Sequence, residues 1–91
     1  MGDESRSPVS FQVYPNPNDG NFAVQVVLQH EVSLTIRVLD VLGREILKEE
    51  EGVQSGTFMK VLQFSSLQPG TYFLEVICDG KPETLKLMID K

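Results

Sequence analysis

The sequence predicts an all-β domain, an immunoglobulin-like β-sandwich of about seven antiparallel strands. Three observations carry that expectation. Apolar residues recur at every second position in several short runs, as in half-buried strands. Clusters of Gly, Pro, Asn, Asp and Ser separate those runs. No stretch has the three-to-four-residue apolar period of a helix. With one cysteine and no tryptophan, the chain lacks the Cys–Trp–Cys core of a true antibody domain.

The runs follow in order. Residues 1–10, rich in Gly, Ser, Pro and mixed charge, read as a flexible linker or an expression remnant. They lack the apolar core of a secretory signal peptide. The folded domain is expected over 11–91. Phe11 to Tyr14 alternates and ends at Pro15-Asn16-Pro17-Asn18-Asp19-Gly20, dense in turn chemistry. Phe22, Val24, Val26 and Leu28 share one face of a second strand. Gln29-His30-Glu31 is a polar break, and Leu34, Ile36 and Val38 form the next alternating set.

Asp40-Val41-Leu42-Gly43 turns the chain, with Asp40 making a local side-chain turn bond. Arg44 to Glu51 reads as a solvent-facing strand with Ile46 inward, being short for a lone helix. Gly52 and Gly56 mark a loop. Phe58 to Phe64 is a strand whose inner face carries one exception, Lys60. Ser65 to Gly70 connects to the alternation of Tyr72, Leu74, Val76 and Cys78. Asp79-Gly80 closes a hairpin, and Leu85, Leu87 and Ile89 form the last strand.

The 91 residues fit one thin-cored domain. The net charge is -5, and the eight basic residues are scattered singly from Arg6 to Lys91. That balance disfavours nucleic acid and anionic membrane surfaces. No run approaches a membrane span.

Catalysis has few residues to use. The sole histidine, His30, sits in a polar break and reads as an exposed loop residue. Cys78 ends an apolar strand face and reads as a small buried hydrophobe. Glu49-Glu50-Glu51 reads as a solvated acidic edge, because neighbours on a strand point to opposite faces. Asn18-Asp19-Gly20 lacks calcium-loop spacing and reads as a turn. No enzyme, cofactor or metal is expected.

The turns taken together carry more. Tyr14 to Phe22 reads YPNPNDGNF, Val38 to Glu45 reads VLDVLGRE, and Phe64 to Leu74 reads FSSLQPGTYFL. The chain closes on TLKLMIDK. In this order they resemble the C-terminal sorting domain of the type IX (Por) secretion system of Bacteroidetes, in its type A form, over residues 11–91. Pro15, Asn16, Pro17 and Gly20 match the first block. Asp40, Gly43 and Arg44 match the second, and Leu67, Gly70 and Tyr72 the third. Lys86 and Lys91 match the final strand. Gln63 stands where an acid is common, and Asp90 precedes the last lysine where many members are apolar or basic.

The resemblance implies a domain at the C-terminal end of a larger cargo protein joined in cis. Outer-membrane translocon components would recognise it after transit through the periplasm. A cell-surface sortase would then remove it and join the cargo to lipopolysaccharide. The cargo would end at the cell surface or be secreted. The domain itself would be a monomer, or a dimer formed by exchange of end strands. For Gly20, Gly43 and Gly70 the sequence supports a structural and a recognition role equally. The last strand could offer an unpaired edge to a receptor. The alternative is an adhesive or carbohydrate-binding module appended to a secreted hydrolase. It requires an exposed row of aromatics, and Phe73 is the main outward one.

Overall fold

Residues alternating in burial define every strand. The structure, a computed structural model, describes residues 8–91. The strands are β1 (Ser10–Tyr14), β2 (Asn21–Asp40), β3 (Glu45–Gln63), β4 (Gly70–Cys78) and β5 (Lys81–Ile89). All pairings between these strands are antiparallel, in the order β1-β2-β4-β5, with β3 along the other edge of β2. Of the expected linker, residues 1–7 lie outside the described residues. The Val9 N–H already donates to the Val27 carbonyl at 2.7 Å.

The all-β expectation holds, and the described residues form five continuous strands in one hydrogen-bonded sheet where about seven were expected. Two expected interruptions do not reverse the chain. Gln29-His30-Glu31 contains no Gly or Pro, and it is absorbed as a bulge between the pairs Leu28–Gly56 and Val32–Gln54. His30 is therefore an exposed strand residue and not a loop residue. The stretch from Gly52 to Gly56 stays extended within β3, with both glycines at positive φ, 76° and 69°. Those angles let the strand bend without a clash at Cβ.

The bend is demanded by length. Twenty residues of β2 would span about 65 Å if straight, whereas the longest dimension is 41 Å. The long β2–β3 hairpin doubles over, and the sheet covers its own inner face. Val24, Val26, Ile36, Val38, Leu74, Val76, Cys78 and Leu87 are all at 0% exposure, with no helix among the described residues to cover them. Even-numbered residues of β2 from Phe22 to Val38 form the continuous apolar face, His30 excepted. Ile46 and Leu47 both pack partly against the core. Cys78 is a buried member of that core, and burial pushes its thiol pKa up.

The bend also overturns the reading of the three glutamates. Glu49 and Glu51 are half-buried and converge on Lys60, which returns along the same strand. The Lys60 ammonium contacts Glu49 Oε1 directly and lies 3.1 Å from Glu51 Oε2, a buried oxygen with this ion as its partner. Glu49, then Glu51, hold the Lys60 pKa above the ordinary lysine value. Glu50 alone remains on the exposed acidic edge.

Candidate recognition pole

Prolines at 15 and 17 offer no backbone N–H, so β1 stops at Tyr14 and side chains must do the pairing. Both prolines follow cis peptide bonds. Asn16 turns its carboxamide to β5, where Nδ2 donates to the Lys86 carbonyl at 2.9 Å and Oδ1 accepts the Met88 N–H at 2.9 Å. Asn18 continues as a parallel bridge to Ile89. Its N–H donates to the Met88 carbonyl at 3.0 Å, and its carbonyl accepts the Asp90 N–H at 2.6 Å.

Asn18 is the one buried polar residue among the described residues, at 6% exposure. Its carboxamide donates to the Pro15 carbonyl at 2.9 Å and accepts the Gly20 N–H at 2.8 Å. The sequence reads Asn18 as part of a turn and does not single it out in the first block. The signal was present: between Pro17 and Gly20, only Asn18 has a side chain able to bond in both senses. The C-terminal part of the β5 edge is thus closed by this loop, so the expected open edge survives only toward Pro82 and Thr84.

Gly20 touches the next element. Its carbonyl accepts the Phe64 N–H at 2.7 Å, and a Cβ at this position, with φ at 106°, would lie 2.5 Å from the Phe64 carbonyl oxygen. The Phe22 and Phe64 rings pack beneath at 6.1 Å. Leu67 N–H donates to the Phe64 carbonyl at 3.1 Å, and the side chain rests on the core. Lys91 donates its ammonium to the Ser65 carbonyl.

The second block is a turn closed by one carboxylate. Asp40 Oδ1 accepts the N–H groups of Leu42 and Arg44, each at 2.9 Å, and Oδ2 pairs with Arg44 Nε at 2.7 Å. Its backbone N–H donates to the Arg44 carbonyl and its carbonyl accepts the Gly43 N–H, both at 2.9 Å. The Arg44 backbone bond, followed by the Arg44 side chain and the Leu42 N–H, holds the Asp40 pKa below the usual carboxylate range. This is the local turn bond that its position implies. It leaves Val41 and Leu42 at 67% and 76% exposure.

Pairing brings the blocks together. Asp40 sits opposite Tyr72, and Gly70 opposite Ile89. Tyr72 is buried, with its hydroxyl donating to the Gln68 carbonyl at 2.7 Å. An open depression of about 250 Å³ lies between them, lined by Asp40, Leu42, Arg44, Gly70 and Tyr72 among others. All three blocks and the residues after β5 therefore share one pole. Val9, the bend of the hairpin and the Asp79-Gly80 turn occupy the other, where Ser33 N–H donates to Asp79 Oδ1 at 2.7 Å. Lys86 contributes its carbonyl to the pole, while its side chain is exposed on the outer face.

A family model described as a secretion system C-terminal sorting domain matches residues 12–90. The chain belongs to that family. No curated protein matches it. A sorting domain of this kind is a type IX secretion signal, which implies contact with that machinery, a cargo in cis, and export across the outer membrane to the surface or beyond. In this sorting domain no group of three or more His, Cys, Asp and Glu among the described residues could hold a metal ion. Among the described residues no helix is long and apolar enough to cross a membrane. Exposed aromatics form no row: Tyr14 stands at 40% exposure, while Phe73 is half-buried.

Proposed function

We propose that this sorting domain is read at the pole where its three sequence blocks meet. The outer-membrane translocon recognises the Val41–Leu42 tip and the depression beside Arg44. Cargo, joined ahead of Val9, leaves from the opposite pole and does not obstruct that surface. A cell-surface sortase then removes the domain, and the cargo is joined to lipopolysaccharide after transit through the periplasm. The supporting observation is the convergence of residues 15–20, 40–44, 67–72 and 86–91 by backbone pairing.

A folded tag gathers distant residues onto one surface, which a linear tag cannot do. Nearly every block residue also has a structural duty here, whereas the side chains of Val41 and Leu42 stand exposed at the turn. Exposed apolar side chains at a rigid turn fit a pocket on a partner. The test is a fusion of the whole chain to a fluorescent reporter directed to the periplasm of a type IX-competent cell. Surface reporter is expected. Reporter held in the periplasm of a strain that exports its own cargo refutes the reading.

A further inference from the structure

The outer side of β3 puts no obstacle in the way of another strand over its second half. β3 pairs only with β2 among the described residues. The Phe64–Gly20 hydrogen bond sets its phase, so Thr57, Met59, Val61 and Gln63 direct their N–H and C=O groups away from β2. Met59 and Val61 are 49% and 64% exposed. The rows they join, Gln12–Gln25–Met59 and Tyr14–Ala23–Val61, hold no charged side chain. An edge of this kind accepts a further strand unless a charge, a proline or a covering segment prevents it.

The charge lies on the other side of the strand. Lys60 interrupts the inner face between Phe58 and Leu62, which pack in or against the core, and it lies opposite the buried Val24. A lone ammonium gains nothing from an apolar face. Glu49 and Glu51 meet it from the first half of the same strand, brought over by the bend. Two carboxylates against one ammonium leave the group negative.

We infer that Lys60, Glu49 and Glu51 form a guard that keeps this edge from taking a second copy of the chain. Antiparallel pairing of two copies with Met59 opposite Val61 sets one Lys60 directly opposite the other, with Cβ atoms about 5 Å apart. Two groups of the same negative sign then meet. Slipping the register by two residues sets Lys60 opposite Phe58 or Leu62 instead. There the incoming strand strips water from Lys60 and Glu49 and offers apolar atoms in return. The outer face permits association, and the inner face denies it. An ion pair that served stability alone could give way to neutral side chains with no change in solution state. A guard could not.

The test neutralises the group at nearly constant size, with Glu49→Gln, Glu51→Gln and Lys60→Met combined. Glu50→Gln is the control, because it also lowers the net negative charge by one, but at an exposed residue. Sedimentation equilibrium and amide exchange, each at low and high concentration, read all three chains. The unaltered chain should stay monomeric, with exchange at Thr57, Met59, Val61 and Gln63 independent of concentration. The triple variant should associate at least about tenfold more tightly, and those four amides should gain protection while Val76 stays constant. Glu50→Gln should behave as the unaltered chain does. An unaltered chain that pairs through the four amides overturns the proposal. So does a folded triple variant that stays monomeric, or a Glu50→Gln chain that associates as strongly. Should the triple variant not fold, Glu49→Thr, Glu51→Thr and Lys60→Thr combined decide in its place, threonine being uncharged and favourable in strands.

Discussion

The Asn16 side chain bonds the backbone of Met88 as a neighbouring strand would, accepting its N–H at 2.9 Å across seventy-two positions of sequence. Together with Asn18 it fixes the last strand to the first loop. A change at either end of the chain is therefore felt at the other.

Asn18→Ala removes two side-chain bonds from a buried residue and leaves the Gly20 N–H and Pro15 carbonyl without them. We expect a loss of about 2–3 kcal/mol. Asn16→Ala affects a more exposed pair and should cost about 1 kcal/mol. Urea denaturation checks both magnitudes. Amide exchange at Met88 should quicken in Asn16→Ala, and unchanged exchange there would refute the pairing.

Gly20→Ala places a methyl 2.5 Å from the Phe64 carbonyl oxygen. The backbone must shift, at a cost of about 2–4 kcal/mol. Gly43→Ala meets nothing within 4 Å and pays only for its φ of 85°, about 1 kcal/mol. Thermal melts should rank them in that order.

Lys60 has a raised pKa in the folded state, from Glu49 first and Glu51 second. Its contribution is complete below the ordinary lysine value and is lost as pH rises through the folded one. Lys60→Met leaves both carboxylates unpaired. With the lysine 29% and Glu49 37% exposed, solvent screening limits the loss near neutral pH to about 1 kcal/mol. The gap between variant and parent should narrow above about pH 10.5, as denaturation midpoints across pH will reveal.

Leu42→Asp changes a side chain that is 76% exposed. Stability should move by about 0.5 kcal/mol or less. Surface display of the fused reporter should nonetheless fall severalfold. Equal display with equal stability would remove the tip from the recognition surface.

Particular elements show how far the residues alone could be read. The turns at Asp40–Gly43 and Asp79–Gly80 were legible because the residues that make them are local: a carboxylate accepting nearby N–H groups, and two residues at positive φ, 51° and 83°. The alternation of Tyr72 to Cys78 named its buried face correctly for the same reason. Gln29-His30-Glu31 and Gly52–Gly56 misled, since polarity and glycine mark bends as readily as reversals. The sequence blocks identified the family, but not that Asn18 is their buried centre. Nor could strand periodicity foresee Lys60 meeting two glutamates of its own strand.

Side-chain period two, set by the pleated backbone, is a property of neighbouring residues. The sequence therefore determined by itself that the chain is antiparallel β and which side chains face inward. The tertiary structure decided where the long hairpin folds over, which strand keeps an open edge, and that four separated segments share a pole. Those outcomes depend on pairings between residues far apart in the chain, whose free energy arises only when the whole sheet closes on its core.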